Sequence, residues 1–216
     1  MTTTPTRSTD EAAAAIVRLG ASLFTRSLTF GRTGNLSIRT GDTVLVTPTG
    51  VSLGTLQADQ LSTIDLDGAH VSGAKPSKEA FLHAAVYRAR PDAGAVVHLH
   101  STHAVAVSCL ADVDPRDVLP PLTAYYVMRV GRLPLLPYHA PGDQSLEDLA
   151  ETTATDHWCF LLANHGSVVA AADLASAADA AEELEETARL FLMLRGLSTR
   201  PLTDDQVDDL KRRYPS

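Results

Sequence analysis

The sequence predicts a single α/β domain, and three observations carry that prediction. Short runs rich in apolar and β-branched residues, such as Val44–Thr47, Ala95–Val97 and Cys159–Ala163, are bounded by glycine, proline, asparagine or aspartate, as strands are. Longer stretches rich in alanine, leucine and glutamate carry helical spacing between them. No internal repeat or low-complexity linker divides the 216 residues, a length that suffices for one full core.

Residues 1–8 read as a disordered tail. Ser8 or Thr9 then caps a helix whose apolar positions include Ala13, Ile16, Val17, Leu19 and Leu23. Gly31 to Asn35 permit a tight turn before a strand at Leu36–Arg39, and exposed amides in such a turn can form an anion nest. A turn at Gly41-Asp42 makes residues 36–47 a β-hairpin. Thr47-Pro48-Thr49-Gly50 is a second hydroxyl- and glycine-rich turn, and residues 61–73 hold one or two short strands around Asp67-Gly68.

Pro76 and Ser77 are helix-start signals, so Lys75 to Glu79 opens a helix that runs to about Ala89. In that position Glu79 favours the helix dipole. Arg90-Pro91-Asp92 ends the helix, and the apolar run Ala95–Val97 leads into His98-Leu99-His100. Alternation along a strand puts both imidazoles on one side, which makes half of a metal site. Zinc, with neutral imidazole ligands and a third protein ligand, is the expected ion. Ser101 or Thr102 caps a helix from His103 to Leu110. Thr123 to Val130, between proline-rich segments, is helix or strand; periodicity does not decide.

The strand Cys159–Ala163 enters Asn164-His165-Gly166, and a second strand follows over Ser167–Ala170. A histidine at that turn is a candidate third ligand. Leu174 to Leu197 reads as a long helix, with Glu182 to Glu186 a solvated face, and Thr203 to Tyr214 as a short one. The other histidines, His70, His83, His103, His139 and His157, are read as surface or packing residues.

A net charge of −8 argues against nucleic acid as the partner, while leaving room for a local cationic pocket. The polar N-terminus lacks the apolar core of a signal peptide, and no stretch near 18 apolar residues suggests a membrane span. Cys109 and Cys159 sit in apolar runs and are expected to be buried free thiols, so the compartment is read as cytoplasmic.

At this point the residues carry a family likeness. Gly34-Asn35-Leu36-Ser37, Thr47-Pro48-Thr49-Gly50, Pro76-Ser77-Lys78-Glu79, His98-Leu99-His100 and Asn164-His165-Gly166 stand in the order and spacing of the class II aldolase/adducin superfamily. Within it the chain is most similar to the 3-oxo-tetronate 4-phosphate decarboxylases. That closer resemblance rests on Ser77-Lys78-Glu79, His98 to Thr102, Tyr126-Val127-Met128-Arg129, Pro137-Tyr138 with Pro141-Gly142-Asp143, and Glu182 to Ala188.

The resemblance implies a three-layer α/β fold with a central, largely antiparallel β-sheet flanked by helices. It implies zinc, with manganese or cobalt as substitutes, on His98, His100 and His165. Glu79 resembles the family's acid/base carboxylate, which also touches the metal. Gly34, Asn35, Thr49, Gly50 and Ser77 match its phosphate-binding positions. Lys78 stands where sugar-phosphate aldolases carry a second serine. Tyr125 lies near a tyrosine that a neighbouring subunit contributes, and the usual assembly is a homotetramer with interfacial active sites. The implied reaction is loss of CO2 from a 3-oxo-tetronate 4-phosphate, through a zinc-stabilised enediolate, to give dihydroxyacetone phosphate. An aldolase or 4-epimerase acting on sugar phosphates is the alternative. A non-enzymatic adducin-like module is disfavoured, because such a module has no need of Glu79 and the three histidines.

Overall fold

The computed structural model describes residues 8–214. The expected tail lies outside them except for Ser8, whose side chain accepts from the Glu11 amide while Glu11 reaches back to the Ser8 amide. This reciprocal cap starts α1, Thr9–Thr25. The strands are β1 (Asn35–Thr40), β2 (Thr43–Val46), β3 (Ser62–Asp65), β4 (His70–Gly73), β5 (Ala95–Leu99), β6 (Leu135–Leu136), β7 (Cys159–Leu162) and β8 (Gly166–Ala171). Helices α2 (Ala80–Ala89), α3 (Thr102–Ser108), α4 (Ala124–Arg129), α5 (Glu147–Asp156), α6 (Leu174–Leu194) and α7 (Asp204–Arg213) complete the order.

All eight strands form one sheet in the order β4-β3-β2-β1-β5-β8-β7-β6. Every pairing is antiparallel except β6 with β7. Alternation then sorts the side chains into two cores. Leu36, Ile38, Val97, Leu99, Leu161 and Val169 meet residues of α1, α3, α4 and α6 on one face. Val44, Val46, Ile64, Val96, Phe160 and Val168 meet α2 and α5 on the other. The result is three layers, helix on sheet on helix, with the expected largely antiparallel sheet.

β5 lies between β1 and β8, and all five of its residues are buried. Its register sets Asn35 opposite His98, and His98 opposite Val168. Truncating a fully buried side chain here, such as Leu99, is expected to cost about 2–5 kcal/mol.

Several expectations are revised. The helix expected from Lys75 begins at Ala80, with Glu79 as its N-cap residue. Lys75 to Ser77 are extended instead, because their backbone pairs with the Thr47–Thr49 turn: Thr49 N donates to Lys75 O at 3.1 Å and Ser77 N to Thr47 O at 3.2 Å. Ala124–Arg129 is helical, capped by the Thr123 hydroxyl on the Tyr126 amide. The long helix stops at Leu194 rather than Leu197. Cys109 is exposed, because it caps the C-terminus of α3; Cys159 is buried in β7, and both are free thiols. Burial pushes the Cys159 thiol up to about 12.

The acidic run on α6 is also not simply a solvated face. Arg26 grips Glu182 with both guanidinium nitrogens, at 2.5 and 2.7 Å. Glu185 accepts from the His103 and Ala104 amides at 3.0 and 2.8 Å, and from His103 Nδ1 at 2.8 Å. It therefore satisfies the open amides at the start of α3 and fixes the chain just after His100.

Candidate metal centre

Four side chains converge on the α2/α5 face of the sheet. His98 ends the buried part of β5, and His100 follows one residue beyond the strand, on the same side. His165 comes from the β7–β8 turn, where Asn164 adopts the left-handed φ of 57° that reverses the chain. Glu79 enters from the start of α2. One ligand atom from each of Glu79, His98, His100 and His165 lies within 4.8 Å of every other. The signal for this grouping was the alternation in His-x-His together with a histidine at a glycine turn.

The donors fit a metal ion. His98 Nδ1 donates to the Ser167 carbonyl oxygen at 2.8 Å, which leaves Nε2 as the nitrogen whose lone pair, in the neutral ring, faces the site. That nitrogen stands 3.1 Å from His100 Nε2 and 3.2 Å from Glu79 Oε2. His165 Nε2 lies 3.1 Å from Glu79 Oε1, yet it is a buried nitrogen with no hydrogen-bond partner in suitable geometry. Converging imidazole lone pairs and a carboxylate, shielded from water, are the donor set of a divalent transition metal.

The four groups are electrostatically coupled. Burial of Glu79 favours its neutral form, but the adjacent His98 and His165 imidazoles outweigh it and hold the carboxyl well below its usual range. Burial would lower the His98 pKa, but the Glu79 charge raises it instead. His100 is pushed down to about 3 by burial and by the neighbouring His98 and His165, and so is kept neutral, as a ligand must be.

The glycine- and hydroxyl-bearing turns meet beside this cluster. Gly34 (φ 77°) precedes β1 and leaves no room for a Cβ, which would stand 3.0 Å from the His98 carbonyl oxygen. Thr47 closes β2 against β1, accepting from the Leu36 amide at 3.2 Å. Gly50 (φ 74°) is exposed at the end of the next turn, which is itself zipped to Lys75–Ser77. Ser77 Oγ accepts from the Glu79 amide at 3.3 Å, and Lys78 is exposed, its stem against Gly142. Gly34, Asn35, Thr49, Gly50, Ser77 and Lys78 thus lie on three segments that join next to Glu79. The Asn35 side chain is turned inward, where Nδ2 donates to Glu79 Oε2 at 2.9 Å.

Tyr125 is not part of the cluster. It stands 60% exposed on α4, with the Arg129 guanidinium 5.9 Å from its ring centre. His83, expected as a packing residue, proves to be a fully buried polar group bonded to Ser37 and Asn35. Its position one helical turn after Glu79 is the only sequence signal that ties it to the site.

A three-layer fold with a histidine–glutamate cluster at the centre of an antiparallel sheet defines a class of metal-dependent lyase scaffolds. The chain belongs to the Class II Aldolase and Adducin N-terminal domain family, whose model matches residues 14–192. It is 50% identical over 199 residues to the 3-oxo-tetronate 4-phosphate decarboxylase of Haemophilus influenzae, covering 92% of this chain and 95% of that protein. The enzyme of the same description from Pectobacterium atrosepticum is 49% identical over 205 residues, 94% of each chain. The crystal structure of YgbL from Klebsiella pneumoniae superposes with a TM-score of 0.92 at 45% identity, covering 94% of this chain and 99% of that one.

Proposed function

We propose that this protein is a carboxy-lyase that converts a 3-oxo-tetronate 4-phosphate to dihydroxyacetone phosphate and CO2. The observation that carries the reading is the cluster of Glu79 with His98, His100 and His165 in a chain half identical to a decarboxylase of that description. The chain works as one domain.

His98, His100 and His165, with Glu79, would hold one zinc ion per subunit; manganese or cobalt suit the same donors. Such an ion supplies Lewis acidity where negative charge develops on the substrate oxygens. The chain's own groups supply the rest. The backbone amides and hydroxyls around Gly34, Thr49, Gly50 and Ser77 receive the phosphate, with Asn35 beside them. Lys78, a flexible cation at the rim, reaches either the phosphate or the C1 carboxylate. When the C1–C2 bond breaks, its electrons move toward the C3 ketone and CO2 departs. Glu79, protonated from solvent for this step, then delivers that proton to C2 and returns to its carboxylate form. His98 is fully buried on β5, so competing water is kept from that side of the site.

The substrate is a phosphorylated sugar acid, and the resemblance supports a cytoplasmic homotetramer in which Tyr125 reaches a neighbour's site; its 60% exposure suits that placement. No helix of the described residues is long and apolar enough to cross a membrane.

The test is a coupled assay. Zinc-loaded protein receives each C2 epimer of the phosphorylated 3-oxo-tetronate, and dihydroxyacetone phosphate is read through glycerol-phosphate dehydrogenase and NADH. The expected outcome is NADH oxidation that a chelator abolishes and zinc restores. No product from metal-loaded protein with either epimer overturns the reading, and aldol cleavage of ketose 1-phosphates becomes the next trial.

A further inference from the structure

Beneath the cluster runs a line of buried polar side chains, three of which, Tyr87, Ser37 and His83, the chemistry above does not use. Tyr87, His83 and Ser37 are fully buried, and Asn35 is 4% exposed. The Tyr87 hydroxyl lies 2.8 Å from Ser37 Oγ, and Ser37 Oγ lies 2.7 Å from His83 Nδ1. His83 Nε2 contacts Asn35 Oδ1, and Asn35 Nδ2 reaches Glu79 Oε2 at 2.9 Å.

The chemistry of each group gives this line a direction. An ionised carboxylate only accepts, so the Asn35 amide must present Nδ2 to Glu79. That leaves Oδ1, also only an acceptor, facing His83, and His83 must carry its hydrogen on Nε2. Nδ1 then holds a lone pair and accepts from the Ser37 hydroxyl, which in turn accepts from Tyr87. One tautomer satisfies every member.

The line also has a partner that nothing else in the site supplies. The other close partners of the Glu79 carboxylate are His98 Nε2 and His165 Nε2, both metal-ligand candidates. A nitrogen lone pair given to a cation cannot also serve the carboxylate. Asn35 Nδ2 is the donor left to Glu79 when both histidines serve a cation. Apolar residues would fill the same space without the desolvation cost of four buried polar groups, so packing does not account for them.

We propose that His83 is a positioning residue: through Asn35 it fixes the Glu79 carboxylate, with Ser37 and Tyr87 holding the His83 ring in its Nε2–H form. The line anchors Oε2 and so leaves Oε1, on the His165 side, as the oxygen to carry the proton. This rests on the reading of Glu79 as the proton donor.

Two measurements test it. The first needs no activity: long-range nitrogen–proton correlation spectra of histidine-labelled wild-type protein, metal-free and zinc-loaded, report the His83 tautomer. A neutral ring with hydrogen on Nε2 in both states is expected, and Ser37→Ala should mix the two tautomers. An Nδ1–H ring, or a doubly protonated one, in wild type at neutral pH overturns the proposal. The second is kinetic. His83→Leu is expected to keep its zinc and its KM while kcat falls about 10- to 100-fold. His83→Gln, whose amide can still donate to Asn35, should recover part of the loss. Wild-type kcat in folded, zinc-replete His83→Leu overturns the positioning role. If that variant does not fold, Ser37→Ala takes its place, with wild-type kcat having the same meaning. Failure of the underlying reading is distinct: it would show as full turnover in Glu79→Gln, whatever the His83 variants do.

Discussion

His98 is fully buried and the Glu79 side chain 10% exposed, whereas Gly50 and Lys78, which flank them on the neighbouring turns, stand in solvent. The two regions adjoin but hold their ligands by different means. The metal centre is made of side chains whose rotamers are locked by strand register and by bonds such as His98 Nδ1 to Ser167. The anion turns are made of backbone whose shape is set by glycine φ angles and by the zipper between Thr47–Thr49 and Lys75–Ser77. A small divalent cation needs donors fixed to fractions of an ångström, and the sheet centre supplies that rigidity. A phosphate is larger and well hydrated, so it can be met by amides at a rim that opens for entry.

The largest expected contrast comes from the ligands themselves. His98→Ala should lose both bound metal and turnover, read by elemental analysis beside the coupled assay. Glu79→Gln should retain metal on the three histidines while turnover falls about 10²- to 10⁴-fold; normal turnover there would remove the proton-donor role. Gly166→Ala probes the rigidity of the centre. Its Cβ would stand 2.3 Å from the Leu99 carbonyl and 3.1 Å from His100 Cδ2. A loss of about 1–3 kcal/mol or more is expected, with weaker metal retention on dialysis; an unchanged urea midpoint would show that the sheet gives way more easily than its packing implies.

Smaller effects should follow on the rim. Gly50→Ala meets open space, so it pays only for its φ of 74°, about 1–2 kcal/mol. With Ser77→Ala it should raise KM for the phosphorylated substrate and leave metal content intact. A variant of either residue that loses metal would dissolve the distinction between the two regions.

Acid exposes the buried layer under both. Burial, then the charge of His98, lowers the His83 pKa from 6.5 to about 3 in the folded chain, against the raising effect of Glu79. Below the ordinary value the unfolded chain binds a proton that folded His83 refuses, so stability falls as pH drops from about 6.5 toward 3. The slope approaches about 1.4 kcal/mol per pH unit for this one group. Urea unfolding of metal-free protein at constant concentration, from about pH 7 to about pH 5, should show a shallower slope in His83→Gln. Coincident slopes would mean that the ring is not held neutral.

Much of this was legible in the chain. Apolar runs bounded by turn residues found β1, β2, β5, β7 and β8, and His-x-His with a histidine at a glycine turn found the ligands. What was not legible depends on partners distant in sequence. Helix α5 gave no signal because its buried residues are only Ala150 and Ala154, small side chains among threonine and acid; it is tied down by Arg88 of α2, which bonds Glu147 and Glu151 at 2.7 and 2.6 Å. The helix-start signal of Pro76-Ser77 was overridden by backbone pairing to Thr47 and Thr49. Glu185 read as a surface acid until α3 was placed against it. The roles of Asn35 and His83 emerge only when β1 and α2 are stacked.

The ligands also set an order of events. Glu79, His98 and His165 belong to three segments far apart in sequence, and they meet only after β5 has been inserted between β1 and β8. Metal therefore cannot seed the folding of this chain; it finds four donors only once the slow, long-range pairings are complete. An ion that recognises only the finished product works as a latch. Stopped-flow traces should show zinc leaving the refolding rate unchanged and slowing the unfolding rate, so that a metal-starved cell would make the fold at the same rate and lose it sooner.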